Sequence, residues 1–386
     1  VPVPKAKPIG QDCKKAVVLT LNNRLFYGIT QSPIGFGEIQ EIKKGNQNLF
    51  EEEHNSAWYL LSITRDGELI FDIIPEDSTN DYDFLLYSYS DSNFCADFSK
   101  IKSKPLRSNL SNVKRSVKGV TGLTRSEALK SSIGKGVGNP YSNSLTVKKG
   151  ERFMLILDNV TPNGKGHTLE LNFLKDVEIK GRIVNSDSMP IASEITLADV
   201  KGNIVLRTTS DTKGEYNIKT ALKESQDYTM VLESDSVFTQ TRTINTKELK
   251  KDQVVFADIK TVLPKLKKGS KYKLGSINFY ANLPTLLPGS LPSAEALYKL
   301  MKKNKKMVIL IEGHTNGPYF PNDATSLKLS EARAKTIYDF LTVKGIEKER
   351  MKTIGYGSEK MLFPKTEDPK KQEANRRVEI KIVSLD

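Results

Sequence analysis

The sequence predicts a multidomain protein in which two all-β sandwiches are followed by an α+β domain. Three observations carry that expectation. At 386 residues the chain is too long for one ordinary domain. From residue 16 to about residue 259, short apolar stretches alternate with turn residues, the rhythm of sandwiches. From residue 276 onward, strand-like and helix-like stretches alternate instead.

Composition narrows the function classes. With 38% hydrophobic and 27% charged residues, the chain has material for real cores. It contains no run of about 18 apolar residues, so no helical membrane span is expected. The net charge of +13 favours polyanionic neighbours, yet the lysines are spread along the chain. No nucleic-acid-reading motif accompanies them, which argues against a nucleic-acid partner. Cys13 and Cys95, with His54, His167 and His314, give no metal-ligand spacing. The two cysteines read equally as one disulfide made in an oxidising compartment or as two separate thiols. The opening VPVPKAKPIG, within an extended segment 1–15, reads as a tether. Its lack of an initiator Met suits removal of a signal peptide or a trimmed start.

Residues 16–175 form the first expected sandwich. In SAWYLLSITRDGELIFDIIPED two apolar runs flank Asp66-Gly67, a pair that favours a two-residue hairpin. DYDFLLYSYS alternates, placing Tyr82, Phe84 and Leu86 on one face. KKGERFMLILDNV and HTLELNF add two strands. Residues 103–144 are polar, rich in Gly and Lys and weakly periodic, as in a surface loop or insertion. Asp81, Asp83 and Asp158 are candidate Ca²⁺ ligands if they meet, since a hard cation needs several oxygens; the alternative is ordinary turn carboxylates. His54, beside three glutamates, reads as part of a solvated acidic loop.

Residues 176–262 repeat the strand-and-turn pattern, with turns at 187–190, 201–203 and 211–214. Residues 263–275, including PKLKKGSKYK, form a basic linker. In 276–386, GSINFYANLP reads as strand and loop. PSAEALYKLMKKNKK reads as a helix with Pro292 near its start and Leu297, Leu300 and Met301 on one face. VILIEGHT is a buried strand. LKLSEARAKTIYDFLTVKG is a longer helix with Leu329, Ile337, Phe340 and Leu341 inward and Gly345 as its stop. MKTIGYG and NRRVEIKIV close the domain as strands.

Several of these stretches resemble known families. Trp58, Gly67–Pro75, DYDFLLY at 81–87, TGL at 121–123 and LTVKKGE at 145–151 resemble the jelly-roll modules of secreted Bacteroidetes proteins, related to the CUB and pre-peptidase C-terminal classes. That resemblance implies carbohydrate or protein contact without catalysis. Val177, Gly181, Pro190, Leu197 and DTKGEY at 211–216 resemble a carboxypeptidase-regulatory-like, transthyretin-type sandwich, which implies a rigid spacer. GHT at 313–315, LSEARA at 329–334, GYG at 355–357 and NRRVEI at 375–380 together resemble the OmpA/Pal/MotB peptidoglycan-binding domain, across 277–383.

The last resemblance implies non-covalent binding of the diaminopimelate of un-crosslinked stem peptides, in the periplasm and at the outer membrane. The ligand end is a zwitterion. Arg333, with its planar fork, is expected to take the carboxylate. The family places an Asp after GHT for the ammonium, whereas this chain has Asn316. Losing that charge partner costs roughly 1 to 2 kcal/mol, about ten- to thirty-fold in affinity. The loop to Arg333 is also longer than the family pattern, with extra residues in GPYFPND, and Ser326 stands where the family usually has Asn. Asp323 is a candidate substitute carboxylate. Phe279 and Asn282 match the border of the pocket, and Thr315 and Leu329 its lining. Arg376 and Arg377 suit internal salt bridges, and His314 a turn hydrogen bond.

No Ser-His-Asp or Cys-His arrangement, metal cluster or phosphate-cradling loop stands out, so neither an enzyme nor a cofactor is expected. Two functions compete. In one, the chain anchors an envelope assembly to peptidoglycan. In the other, it is a scaffold subunit of a Bacteroidetes envelope machine (type 9 secretion or gliding) whose wall site is weakened or lost. Its protein partners would then be outer-membrane, secretion or gliding components.

Overall fold

A computed structural model describes residues 10, 12–21, 26–30, 50, 54–90, 93–97, 104–112, 119–162, 165–235, 237–246, 255–275, 277–317 and 323–385. Contacts divide the chain into two units, residues 1–175 with 221–224, and residues 176–220 with 225–386. The molecule is multidomain and β-rich, with its long helices near the C-terminus. Among the described residues no helix is long and apolar enough to cross a membrane.

The first unit pairs two sheets. One follows the order Val17–Leu21, Asn55–Ile63, Arg152–Asn159, Tyr82–Ser88, Arg107–Ser111, Ser132–Gly136. The other is centred on Gly67–Pro75, which pairs with Thr121–Thr124, Leu145–Val147 and residues 167–174. Period-two alternation lets each sheet send one face inward. Leu61, Phe84 and Leu155 from one sheet meet Phe71, Leu171 and Phe173 from the other in a single core. Trp58, Leu85, Tyr87 and Ile156 form a second cluster with Cys13. Cys13 and Cys95 are bridged, a cross-link spanning 82 positions. Closing so long a loop restrains the unfolded chain by about 4 kcal/mol in the chain-entropy treatment.

The Asp66-Gly67 turn is not a hairpin. Asn55–Ile63 pairs with Val17–Leu21 and Arg152–Asn159, and Gly67–Pro75 lies in the opposite sheet. The turn is a corner between sheets. The physical reason is that Leu61 and Ile63 bury against Leu69, Phe71 and Ile73 across the core rather than beside them. The corner is fixed locally, as Lys149 N donates to Asp66 Oδ1 at 2.8 Å. A Cβ on Gly67 would lie 2.7 Å from the Phe173 ring.

Residues 103–144 likewise hold more order than their composition signals, with strands Arg107–Ser111, Thr121–Thr124, Ser132–Gly136 and Tyr141–Asn143. These short polar strands are secured by side chains. Arg107 Nε donates to the Asn143 carbonyl at 2.7 Å, and Ser142 Oγ to the Ser108 carbonyl at 2.6 Å.

In the second unit, one sheet follows the order Ile204–Thr209, Glu194–Ala198, Asp227–Glu233, Gln240–Asn245. Residues Glu178 to Asn185 run parallel to Val255–Leu263. The α+β part has a four-stranded sheet in the order Lys271–Lys273, Val378–Ser384, Val308–Gly313, Met351–Gly355. Helices Leu291–Lys303 and Ala324–Val343 supply Leu297, Met301, Ala334, Ile337 and Leu341 to its core. The first strand is KYK, from the stretch expected as linker, and the described residues of GSINFYANLP form no strand, only an isolated bridge from Phe279 to Leu286. Tyr272 explains the difference: it is buried and stacks on Phe238 with ring centroids 4.4 Å apart. A short helix, Pro369–Asn375, precedes the last strand.

Within this unit Lys299 ties the helix to the sandwich, with Nζ 3.0 Å from Glu233 and 3.3 Å from Glu194. Burial raises the Glu233 carboxyl above its ordinary pKa, and Lys299 opposes that shift. Lys299→Ala is expected to lower the stability of the unit by on the order of 1 kcal/mol, read by urea unfolding. An unchanged midpoint would show that the ion pair contributes nothing.

Candidate functional site

Helix Ala324–Val343 positions the site. Asp323 caps it, accepting from Ser326 N at 2.7 Å, and that backbone donor holds its carboxyl below the usual range. At the far end Gly345, at φ +96°, lets Gly345 N reach Thr342 O and Ile346 N reach Leu341 O. The helix crosses the strand ends closely. A Cβ on Gly313 would lie 2.0 Å from Ser330 O, and one on Gly355 would lie 2.4 Å from Glu331 N. Ser330 Oγ accepts from Gly357 N at 2.8 Å and donates to Leu327 O at 2.8 Å.

One turn on, Arg333 is buried, at 5% exposure. Its Nε donates to Leu283 O at 3.2 Å, and Nη2 lies 3.5 Å from Tyr280 O. The guanidinium sits 5.0 Å from the centre of the Phe279 ring. Asn282 lies between the two carbonyl residues at φ +55°, a left-handed turn that Asn tolerates well. Leu329, half-buried, precedes Arg333 by one turn on the same helix face. Among the described residues no carboxylate pairs with Arg333. Burial and the nearby charge of Arg376 lower its pKa, but an arginine remains a cation. A buried cation held only by neutral groups is electrostatically incomplete, and an anion completes it.

On the loop after strand Val308–Gly313, Thr315 N donates to Gly357 O at 2.8 Å. The Thr315 hydroxyl is buried without a hydrogen-bond partner among the described residues. Asn316 Oδ1 accepts from Asn375 Nδ2 at 2.8 Å. The structure therefore gathers Phe279, Asn282 and Arg333 in one place, and ties Thr315 and Asn316 to the segments that follow strand Met351–Gly355. Asp323 directs its carboxylate to its own helix. Most of the GPYFPND insertion, residues 318–322, lies outside the described residues. Asn375 and Ser330 were not singled out in the sequence. Their signal is membership of two quoted motifs, NRRVEI and LSEARA, without a role of their own.

His314 is 1% exposed and stacks on Tyr356. Burial, then the charge of Arg377, lowers its pKa to about 4, so the ring is neutral near pH 7. Ligand atoms of Glu312, His314 and Glu379 lie within 4.8 Å of one another. Glu312 and Glu379 face each other across paired strands, which alone would be repulsive. Lys271 Nζ lies 2.6 Å from Glu312, and Arg377 Nε lies 2.6 Å from Glu379. Both carboxylates are thus neutralised from within, and the cluster acts as an ion network binding three strands.

In the first unit Asp83 and Asp158 are register partners. Burial, then the charges of Asp81 and Asp158, raises the Asp83 carboxyl well above its usual range. His54 engages both oxygens of Asp158, through its backbone N at 2.9 Å and Nδ1 at 2.8 Å. His54 thus leaves the solvated-loop reading and joins the acidic cluster, a contact across 104 positions that no local pattern signals. The three carboxylates do not converge as the Glu312 group does.

Residues 278–376 match the OmpA family, so the C-terminal part of the chain carries an OmpA family domain. An outer membrane protein of Borrelia burgdorferi B31 is 29% identical over 31% of this chain and 96% of its own, with a TM-score of 0.25. The periplasmic domain of Helicobacter pylori MotB is 21% identical over 31% of this chain and 78% of its own, with a TM-score of 0.27. The peptidoglycan-associated lipoprotein of Burkholderia pseudomallei is 19% identical over 29% and 88%, with a TM-score of 0.25. Among curated proteins, photosystem I P700 chlorophyll a apoprotein A2 of Gloeobacter violaceus is 42% identical over 77 residues. Those residues are 19% of this chain and 9% of that protein, so the chain spans under a tenth of that relative.

Proposed function

We propose that the chain is a non-enzymatic protein of the periplasm and outer membrane that fixes an envelope assembly to peptidoglycan. The observation that carries this reading is Arg333, a buried guanidinium with neutral partners only among the described residues. Such a group suits the terminal carboxylate of a stem-peptide side chain, taken through its unused N–H donors. Membership of residues 278–376 in the OmpA family supports the same reading. The β-units before it suit spacers, the first of jelly-roll type and the second of transthyretin type, that reach protein partners.

Co-sedimentation of the full chain with diaminopimelate-type sacculi tests it. Arg333→Ala is expected to weaken binding at least about tenfold, since a buried charged contact is lost. Equal sedimentation of wild type and variant would overturn the role of Arg333. A second reading, a scaffold of a secretion or gliding machine with a weakened wall site, is favoured by the neutral Asn316. Its signature would be no wild-type sedimentation, with binding appearing in Asn316→Asp.

A further inference from the structure

The ion network that neutralises Glu312 and Glu379 leaves one buried member without a role, the His314 ring. Neither Nδ1 nor Nε2 of His314 has a hydrogen-bond partner among the described residues, although the residue is 1% exposed. The turn hydrogen bond expected of His314 is therefore not made by its ring. Nε2 lies 3.7 Å from Glu379 Oε2, too far for a hydrogen bond. A buried polar ring without a partner is destabilising unless a further group fills the gap. The strands bring suitable ligands to that gap. Glu312 and His314 are two positions apart, so alternation sets both on one face, and the ladder continues past Gly313 because His314 N donates to Arg377 O. Glu379 is the register partner of Glu312 and shares that face. The cations of the network occupy only half of each carboxylate. Lys271 Nζ takes Glu312 Oε2 and Arg377 Nε takes Glu379 Oε1, each at 2.6 Å. Glu312 Oε1 and Glu379 Oε2 are left over.

We propose that Glu312, His314 and Glu379 form a site for one divalent transition-metal ion, Zn²⁺ by preference, with water in the fourth position. One nitrogen and two carboxylate oxygens are a set that Zn²⁺ accepts, whereas Mg²⁺ and Ca²⁺ favour oxygen alone. Ligand atoms on one tetrahedral zinc sit about 3.4 Å apart, so the 3.7 Å gap from Nε2 to Oε2 closes with a small side-chain adjustment. Arg377, at 3% exposure, stays on Glu379 and orients it from outside the metal shell. Lys271 is the competitor for Glu312. Its side chain is 40% exposed, so it turns out to water when a dication takes over that carboxylate. The ion network is then the metal-free form of the site. The metal-bound form joins strands Val308–Gly313 and Val378–Ser384 through a single ion. Nothing in this proposal rests on the wall-binding reading.

Titration calorimetry of the full chain, free of any affinity tag, with ZnCl₂ tests this. Wild type is expected to bind one equivalent, and MgCl₂ in about hundredfold excess should not displace it. His314→Gln and Glu379→Gln are each expected to weaken binding about tenfold or more, since one of three ligands is lost. Lys271→Gln keeps an N–H donor for Glu312 but removes the competing charge, so it should tighten binding about threefold or more. His54→Gln, which removes the histidine beside the carboxylates of the first unit, should leave the affinity unchanged. Absence of zinc binding by wild type would overturn the proposal. So would a loss in His54→Gln in place of His314→Gln, which would put the ion in the first unit. If circular dichroism shows that the ligand variants do not fold, Lys271→Gln decides, and an affinity equal to wild type there overturns the site.

Discussion

Gly313→Ala is expected to destabilise the C-terminal domain by about 3 kcal/mol or more and to remove sacculus binding with it. Gly313 ends strand Val308–Gly313, paired with Gly355 on one side and Val378 on the other. The added Cβ would lie 2.0 Å from Ser330 O and 2.8 Å from Ser330 C, both backbone atoms. No rotamer change relieves such a clash, so the helix must lift. That helix buries Arg333, Ala334, Ile337 and Leu341. Because Arg333 rides on it, stability and binding should fall together. Gly345→Ala is the matched control. Its Cβ meets nothing within 4 Å, and only the positive φ of +96° is offended. That change should cost about 1 kcal/mol and leave binding intact. Thermal unfolding with sedimentation of both variants reads the contrast, and equal losses would refute the close-crossing argument.

Acid is expected to weaken the first unit through His167. The ring is fully buried, with Nε2 2.8 Å from the Tyr59 hydroxyl and the Tyr82 ring edge-on to it. Burial lowers its pKa from 6.5 to about 3. A group whose folded pKa lies below its unfolded value is kept neutral by the fold, so its protonation favours unfolding. The stability it supports is complete above pH 6.5 and drains away as pH falls toward 3. By pH 4 the loss at this residue is about 3 kcal/mol. His314 pulls the same way in the second unit, since its pKa is lowered too. Asp83 opposes the trend, because its raised carboxyl gains a proton more readily folded than unfolded. Urea unfolding at pH 7 and pH 4 measures the net effect. His167→Gln should shrink the difference by about 3 kcal/mol, and an unchanged difference would place the acid sensitivity elsewhere.

What the sequence discloses follows the range of the interaction. Helix Ala324–Val343 is legible because a 3.6-residue period and a Gly stop are written within one segment. The strands around Trp58 and Phe84 are legible because alternation is local. Asp66-Gly67 misleads because turn chemistry sets the bend and not which strands then pair. The polar strands within 103–144 carry no apolar signal, since Arg107, Ser142 and their carbonyl partners secure them. At the site, Arg333 and Asn316 are marked by motif. The grip of Asn375 on Asn316 spans 59 positions, and nothing near Asn316 announces it.

The parallel pairing of residues Glu178 to Asn185 with Val255–Leu263 has a mechanical consequence. The chain enters the second unit at Asp176, within strand His167–Asn185 and just before its paired stretch begins at Glu178, and leaves the partner strand at Leu263. Because the strands run the same way, tension applied between those two points slides one past the other. The ladder of hydrogen bonds then bears load in shear and all together, instead of opening one bond at a time as a hairpin pulled from its ends would. In the proposed anchoring role, such a unit would be stretched whenever the envelope flexes. A strand pair loaded in shear would hold until the whole ladder gives way.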